Sequence, residues 1–457
     1  MKNYNNYILP TIGPETEDDQ SLKRILKYSN ILRLNGSHNS LEWHKNIIKK
    51  IKKINPDCTV LFDIPGVKPR TLNKKNIKIN RNEVITFSDS SNKNKNKDSI
   101  LLSNLIPKIS KFTKYFTIAD GQYNFKLIKS GKGFITGKSI SSFILLQKKG
   151  LNIQNSIYDD NLQFSVYKNF INKTKYIGYD AVGVSFIQSG NMLKSLKTLF
   201  PDLIMVSKVE NSEGLKNLNQ ICFNSDAVMI DRGDLAAEIG DINLYSAVND
   251  IAIVTKKIGK PLIMATENLE SMQIRPSPTK SEIMSLGHSL SLGADKIMLS
   301  EETAISKNWF QIIEWLSKFL QTKLIQPLEI ISNKDIDLSG NNLIWKTIKD
   351  SKNTPIVVFT RSAAAIHKAK SINPSIKIIS FTDSMLTLKL SRFWSDVTCH
   401  YLKKFDNSKG NNFVFNTIKR FKKEIFNNNK SAIVFFISNP RPGSRANTVS
   451  LVKKDDF

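Results

Sequence analysis

Cysteine, acid and long apolar runs are all scarce in this chain. Cys58, Cys222 and Cys399 are spread over 457 residues with no CxxC spacing. Neither a disulfide framework nor a thiolate metal site is expected, and a reducing, cytoplasmic setting fits. No stretch reaches the roughly 18 apolar residues needed to cross a bilayer. The apolar run Tyr7–Pro10 is too short for a signal-peptide core, and Lys453–Phe457 matches no anchor or address signal. No membrane partner is therefore expected. His288, His367 and His400 are too scattered for a zinc site. Carboxylates are outnumbered, 40 against 67 Lys and Arg, for a net charge of +27. Such an excess can mark a polyanion binder. Lys, Asn and Ile are abundant throughout, however, even in turns, and no zinc finger, RNA-binding aromatic motif or basic heptad helix is present. Charge alone specifies little, so no specific nucleic-acid partner is expected.

What is present is a rhythm. Eight short apolar runs read as strands: Ile8–Ile12, Ile31–Leu34, Thr59–Asp63, Ala181–Phe186, Leu203–Val209, Ala227–Asp231, Leu262–Thr266 and Lys296–Ser300. Several are continuously apolar, as parallel strands buried on both faces should be. Helical patterns lie between them over 21–28, 40–54, 214–222, 244–258, 279–292 and 308–320. Eight such units predict an α/β fold of the TIM (β/α)8 barrel type. The barrel is read as discontinuous, 1–70 and 156–334. Residues 71–155 form short alternating runs with Gly-rich turns and are expected to be an inserted small β lid domain. Its tract Ser90–Ser99 is low-complexity and reads as a loop. The lid carries sixteen basic and four acidic residues, and an insertion after a barrel strand hangs over the active-site mouth, where a basic cover suits an anionic substrate. Residues 335–457 start a second α/β rhythm, expected to be a C-terminal open-sheet domain. Its strands are read at 355–360, 376–381 and 432–437, and its helices at 362–371, 384–391 and 412–426. Trp309 and Trp315 in one helix, and Cys58 and Cys222 on apolar stretches, read as packing residues.

Reactive residues of a barrel sit where its strands end. Those ends carry Arg33-Leu34-Asn35-Gly36-Ser37-His38, then Asp63 through Arg70, Lys208-Val209-Glu210-Asn211, Asp231-Arg232-Gly233-Asp234 and Thr266-Glu267-Asn268. Strand alternation puts Lys208 and Glu210 on one face. Glu210 and Asp234 are hard oxygen ligands from neighbouring strands, suited to Mg²⁺ with substrate oxygens completing its shell. Lys208 and Arg33 can neutralise a moving phosphoryl group, and Gly233 lets backbone N–H groups at a helix start approach an anion. Each signal is weak alone; together at successive strand ends they describe a phosphoryl-transfer site.

At these residues the chain resembles the pyruvate kinase family, nearly end to end. LPTIGPET, RLNGSH, SKVENSEG, IDRGDLAAEI, KPLIMATENLESM…PSPTKSE, GADKIMLSEETA and the closing RPGS are each similar to a family segment. The resemblance implies transfer of a phosphoryl group from phosphoenolpyruvate to ADP, giving pyruvate and ATP in the final step of glycolysis. It implies that Arg33 holds the phosphate, that Lys208 stabilises the transferring group, and that Glu210 and Asp234 bind Mg²⁺ or Mn²⁺. Gly233 and Asp234 would offer N–H groups to the substrate carboxylate, and Thr266 would serve the proton step. Asn35, His38, Arg70 and Lys149 would face the nucleotide, while Asp120 matches the lid's Asp–Gly turn. Asn35, Ser37 and Asp63 match monovalent-cation ligands. The family is usually tetrameric, so a homo-oligomer is implied.

Departures from the family pattern shape three further expectations. DIPGVKPR stands for DTKGPEIR, so Ile64 replaces a threonine cation ligand and Lys68 a glutamate. A fixed ammonium at Lys68 can substitute for the ion, and weak or absent K⁺ activation is expected; otherwise Lys68 points to water. Asp231, Glu267 and Glu301 are added carboxylates, and Gln188 stands for an arginine. An acid beside bound phosphoenolpyruvate would repel it by a few kcal/mol at an effective dielectric of about 20, unless it faced a metal or Arg232. The alternatives are then an enzyme for another enol-phosphate or acceptor, or a non-catalytic regulatory or binding paralogue. Finally, Thr360–Ala365 replaces the family's phosphate-binding TKSGxS loop and Pro440 its tryptophan, so no sugar-phosphate activation is expected.

Overall fold

A computed structural model describes residues 4–92, 98–119, 121–322, 345–349, 354–403, 405, 411–436 and 448–457. Eight strands close on themselves: β1 (Ile8–Pro10), β2 (Ile31–Asn35), β3 (Thr59–Ile64), β4 (Ala181–Val184), β5 (Ile204–Lys208), β6 (Ala227–Asp231), β7 (Leu262–Ala265) and β8 (Lys296–Leu299). From β2 to β8 each pairs in parallel with the next in sequence, and β8 pairs in parallel with β1. The seam between β1 and β2 is closed by the Ile12 N–H donating to Arg33 O at 2.9 Å. This is the expected TIM barrel.

Alternation along the strands builds two cores. One set of positions, among them Leu32, Val60, Phe62, Val182 and Met205, packs outward against the helical layer. The other set, Leu9, Ile31, Leu61, Ala181, Ile204, Val206, Ala227, Met229, Ile263 and Met298, fills the interior. That inner core does not end at the barrel. It continues into Trp345, Ile356, Val358, Phe393 and Trp394 of the C-terminal sheet domain, which closes the barrel's lower end. A polar clasp fastens the same junction. Asp180, just before β4, accepts from Lys52 Nζ at 2.6 Å, from the Val60 N–H at 2.8 Å, and from Lys389 Nζ of the C-terminal domain at 2.6 Å.

The insert is a six-stranded sheet ordered 151–153, 115–118, 123–131, 134–139, 84–88, 100–101, with a small 77–79/143–145 pair beside it. Phe87, Phe116 and Phe125 fill its core, the last two stacked at 5.0 Å. Its two connections to the barrel run side by side: Arg70 bridges Gly150, and the Leu151 N–H donates to Pro69 O at 2.8 Å.

The C-terminal sheet is ordered 397–401, 378–382, 356–359, 431–436, 448–453, with the last strand antiparallel. The two edge strands, Val397–Tyr401 and Thr448–Lys453, lie outside the expected set. Both mix polar and apolar residues because each is covered on one side only. The helix read over 412–426 is two, Asn411–Arg420 and Lys422–Phe426, and the one over 214–222 is likewise split, into Ser212–Lys216 and Leu218–Asn224. Trp309 is buried, and Trp315 packs against the same core. Burial pushes the Cys58 and Cys222 thiols up to about 12 and about 11, as for inert core thiols. The proposed boundary at 334/335, Asp120, Pro440 and the RPGS segment lie outside the described residues, as does much of the low-complexity tract.

Candidate active site

Two residues beyond the last apolar layer of the interior, the same inward rows become polar. Thr11, Arg33, Asp63, Lys208 and Asp231 occupy these positions, and they meet. Arg33 donates to Asp63 Oδ2 from Nη2 at 2.6 Å and from Nε at 3.1 Å, and to Thr11 Oγ1 at 2.9 Å. The other guanidinium N–H groups remain for a ligand. Lys208 Nζ stands 2.9 Å from Glu210 Oε1, 3.4 Å from Asp63 Oδ2 and 3.5 Å from Asp231 Oδ2. Gly183 leaves the room Asp63 needs, since a Cβ there would lie 3.0 Å from its Oδ1.

Asp231 also caps the helix Arg232–Ile239, its Oδ1 accepting the Asp234 N–H at 3.4 Å. The same oxygen accepts from the Thr266 hydroxyl at 3.2 Å. Thr266 and Glu267 both have left-handed backbone, φ 57° and 50°, a conformation that costs non-glycine residues energy and clusters at functional sites. Buried Arg232 holds that turn. It donates to Thr266 O, to Asn268 Oδ1 at 3.0 Å and to Ser285 Oγ at 2.7 Å. The Gly233 N–H reaches Thr266 Oγ1 at 3.4 Å, a long bond that a better acceptor can displace.

The electrostatics follow from burial and counter-charge. Burial pushes the Asp63 carboxyl up, but Lys208 and Arg33 overcome it and hold the group below its ordinary value. Burial likewise raises Asp234, and here Lys68, Lys208 and Arg70 win, so it too is lowered. Glu210 and Asp231 are raised: burial dominates, Lys208 opposes it, and the neighbouring carboxylates add to it. Burial lowers the Lys208 ammonium, yet Asp63, Glu210 and Asp231 carry it well above the usual lysine range. Glu210, Asp231 and Asp234 each bring one oxygen within 4.8 Å of the others. Glu210 Oε1 is fully buried with no hydrogen-bond donor, only the Lys208 ion pair. Clustered hard oxygens with excess negative charge fit a divalent cation.

The remaining expected residues fall into two groups. Asn35, Ser37 and His38 form the turn after β2, where Asn35 Oδ1 accepts the Ser37 N–H at 3.1 Å and Ser37 and His38 are exposed. Arg70 and Lys149 adjoin each other at the lid root: Arg70 Nη1 donates to Lys148 O at 3.4 Å, and the Lys149 N–H to Thr71 Oγ1 at 3.1 Å. Lys68 does not point to water. Its side chain is 4% exposed and its ammonium meets Asp234 Oδ1 at 2.6 Å. Gln188 is a buried clasp, accepting the Tyr158 N–H at 3.2 Å and donating to Asp160 Oδ1 at 2.9 Å. Of the added carboxylates, Glu267 and Glu301 are exposed and only Asp231 enters the cluster. Sequence reasoning missed Glu238, buried and pushed up to about 8 by desolvation, with Asn152 donating to it at 3.1 Å. No signal in its flanking sequence marks it apart from its place in IDRGDLAAEI.

Comparison with known proteins decides the family. The family described as "Pyruvate kinase, barrel domain" matches residues 3–311. The chain belongs to the pyruvate kinase family. Similar proteins include the pyruvate kinase of Buchnera aphidicola subsp. Schizaphis graminum, 29% identical over 427 residues that cover 88% of each chain. The pyruvate kinase of Encephalitozoon cuniculi is 31% identical over 306 residues, 65% of this chain and 71% of that one. A crystal structure of a pyruvate kinase from Cryptosporidium parvum matches in fold with a TM-score of 0.81 at 23% identity, covering 99% of this chain and 97% of the other. As a family member the chain is a phosphotransferase of the pyruvate kinase class, a class that generally uses a divalent metal. Among the described residues, no helix is long and apolar enough to cross a membrane.

Proposed function

We propose that the conversion of phosphoenolpyruvate and ADP to pyruvate and ATP takes place on the inward polar layer of the barrel mouth, with Lys208 at its centre. The observation that supports this reading is the convergence of the carboxylates of Asp63, Glu210 and Asp231 on the Lys208 ammonium within ion-pair distance. Arg33 and Lys208 receive the substrate phosphate, and the N–H groups of Gly233 and Asp234 receive its carboxylate. Glu210 and Asp234 hold Mg²⁺ or Mn²⁺, which when bound neutralises charge on the phosphoryl oxygens. Thr266, fixed in its strained turn, serves the proton step at the enolate carbon. Asn35, His38, Arg70 and Lys149 bind the nucleotide from the β2 turn and the lid root, and the basic lid covers it and excludes water. The division into a barrel of 1–70 and 156–334, a lid of 71–155 and a C-terminal domain of 335–457 belongs to the same proposal. So do a cytoplasmic location, in keeping with three free cysteines, and a lack of sugar-phosphate activation, in keeping with Arg361 of the Thr360–Ala365 loop being paired with Asp383 at 2.8 Å.

Asn35, Ser37 and Asp63 form a degraded monovalent-cation site, in which Asp63 is neutralised by Arg33 and Lys208 and Lys68 supplies a fixed ammonium at the neighbouring Asp234. Pyruvate formation from phosphoenolpyruvate and ADP, assayed with Mg²⁺ or Mn²⁺, is expected to proceed at nearly the same rate with and without K⁺. Strong K⁺ dependence would refute the substitution by Lys68, and no pyruvate under any condition would refute the reaction.

The same proposal includes a homo-oligomer, a tetramer as in the family. Ile242 (93% exposed) and Tyr245 (70%) on the helix Asp241–Ile258 and Met284 (73%) on the helix Lys280–Ser291 are apolar residues turned outward, as is Ile274 (89%) after the short turn Glu270–Gln273. Tyr245 and His288 stack across the two helices at 5.4 Å. Apolar faces of this kind mark association surfaces. Ile242→Asp with Met284→Asp is expected to reduce the mass measured by light scattering; a monomeric unsubstituted chain would dispose of the idea.

A further inference from the structure

Asp231 departs from the family pattern, which has a small residue before Arg-Gly-Asp, and the fold gives it a definite place. It continues the inward row of Ala227 and Met229 on β6, so its carboxylate enters the barrel mouth. Its two oxygens are treated differently. Oδ1 faces the frame, 3.4 Å from the Asp234 N–H in a long capping bond and 3.2 Å from the Thr266 hydroxyl, whose one proton is shared with Ala265 O at 2.8 Å. Oδ2 faces Lys208 Nζ at 3.5 Å, at the outer limit of a hydrogen bond. Glu210 has the same arrangement. Its Oε2 accepts the Phe186 N–H at 2.6 Å, and its Oε1 turns inward to meet Lys208 alone. A carboxylate with one oxygen anchored and the other presented is how metal-ligating acids are oriented by their surroundings. One oxygen each from Glu210, Asp231 and Asp234 fall within 4.8 Å of one another.

We propose that Asp231 is a third carboxylate ligand of the divalent ion, beside Glu210 and Asp234; this rests on the phosphotransfer reading of the site. An anionic oxygen then stands where a water would otherwise complete the shell. Added ligand charge raises affinity. It also favours ions with loose demands on geometry, such as Mn²⁺, over Mg²⁺, which keeps its waters and insists on near-ideal octahedral placement. The Lys68 ammonium, buried against Asp234, supplies compensating positive charge at the edge of the cluster. The acid that would repel phosphoenolpyruvate if it stood alone is thereby spent on the cation.

The test uses the metal-stripped full chain titrated with Mn²⁺, following free Mn²⁺ by electron paramagnetic resonance and bound water by proton relaxation. Asp231→Asn keeps an oxygen for the Thr266 and Asp234 donors and removes the charge. It is expected to weaken Mn²⁺ binding at least tenfold and to add about one exchangeable water to the bound ion, with an unchanged melting temperature. Glu210→Gln serves as the reference and is expected to lose as much or more. Should Asp231→Asn bind within twofold of the unsubstituted chain, with the same water count, while Glu210→Gln fails, Asp231 is no ligand and the site reading stands. Should the unsubstituted chain itself not bind Mn²⁺, both are overturned.

Discussion

Replacing Lys208 by methionine is expected to lower kcat by about three to four orders of magnitude, with KM for ADP little changed. The ammonium sits at the one point from which it reaches Asp63, Glu210 and Asp231 at once. It therefore stands beside both the acids proposed to hold the metal and the guanidinium proposed to receive the phosphate. Charge stabilisation aimed at a moving phosphoryl group inside a buried site is commonly the largest single contribution to such catalysis. Methionine matches the aliphatic stem and supplies none of the charge. The barrel is expected to remain folded, since Arg33 still neutralises Asp63. In the metal-free variant Glu210 and Asp231 lose the cation that opposes burial, so their folded-state pKa values rise further above the unfolded ones. Stability is then fully present below the ordinary carboxylate range and is lost as pH rises, so the deficit in melting temperature should widen from acid toward neutral pH. A steady-state assay showing near-normal turnover would end the assignment of Lys208.

The largest expected loss of stability comes from Asp180→Asn. This carboxylate answers two lysines and a backbone N–H, and one of those lysines belongs to the C-terminal domain. Asparagine keeps the shape but leaves both ammonium groups without a counter-charge and turns an amide donor toward one of them. The cost is about 2–3 kcal/mol, below the full penalty for orphaning a buried charge because both lysines reach water. Lys389→Met removes only the pair between domains and should cost about 1 kcal/mol or less. Melting curves of the two variants separate these contributions, and an Asp180→Asn curve coincident with that of the unsubstituted chain would show the clasp to be idle. Activity at low temperature should be unaffected, since Asp180 lies at the start of β4 and the reacting layer lies beyond its other end.

The barrel was legible because buried parallel strands must be apolar on both faces, and their charged terminators then stand out. Lys208, Glu210 and Asp234 could be found that way from the letters alone. The partners of those residues could not. Lys68 reads as a substitution in a cation site, whereas the chain path at the lid root delivers its ammonium to Asp234. Asp231 reads as an unwelcome charge; only the register of β6 and the left-handed turn at Thr266 reveal what its oxygens meet. Gln188 reads as a lost arginine, yet it closes on the Tyr158 backbone. The edge strands of the C-terminal sheet escaped because a strand covered on one side carries a diluted apolar signal, and VTCHY offers little to distinguish it from a loop.

Trp394, Phe393 and Ile356 meet the underside of the strands and carry the barrel's inner packing on into the C-terminal sheet. The junction works as a stopper cut to the neck of a bottle. A stopper that fits steadies the wall it touches, so a looser one is felt in the vessel's base well before it is felt at the rim.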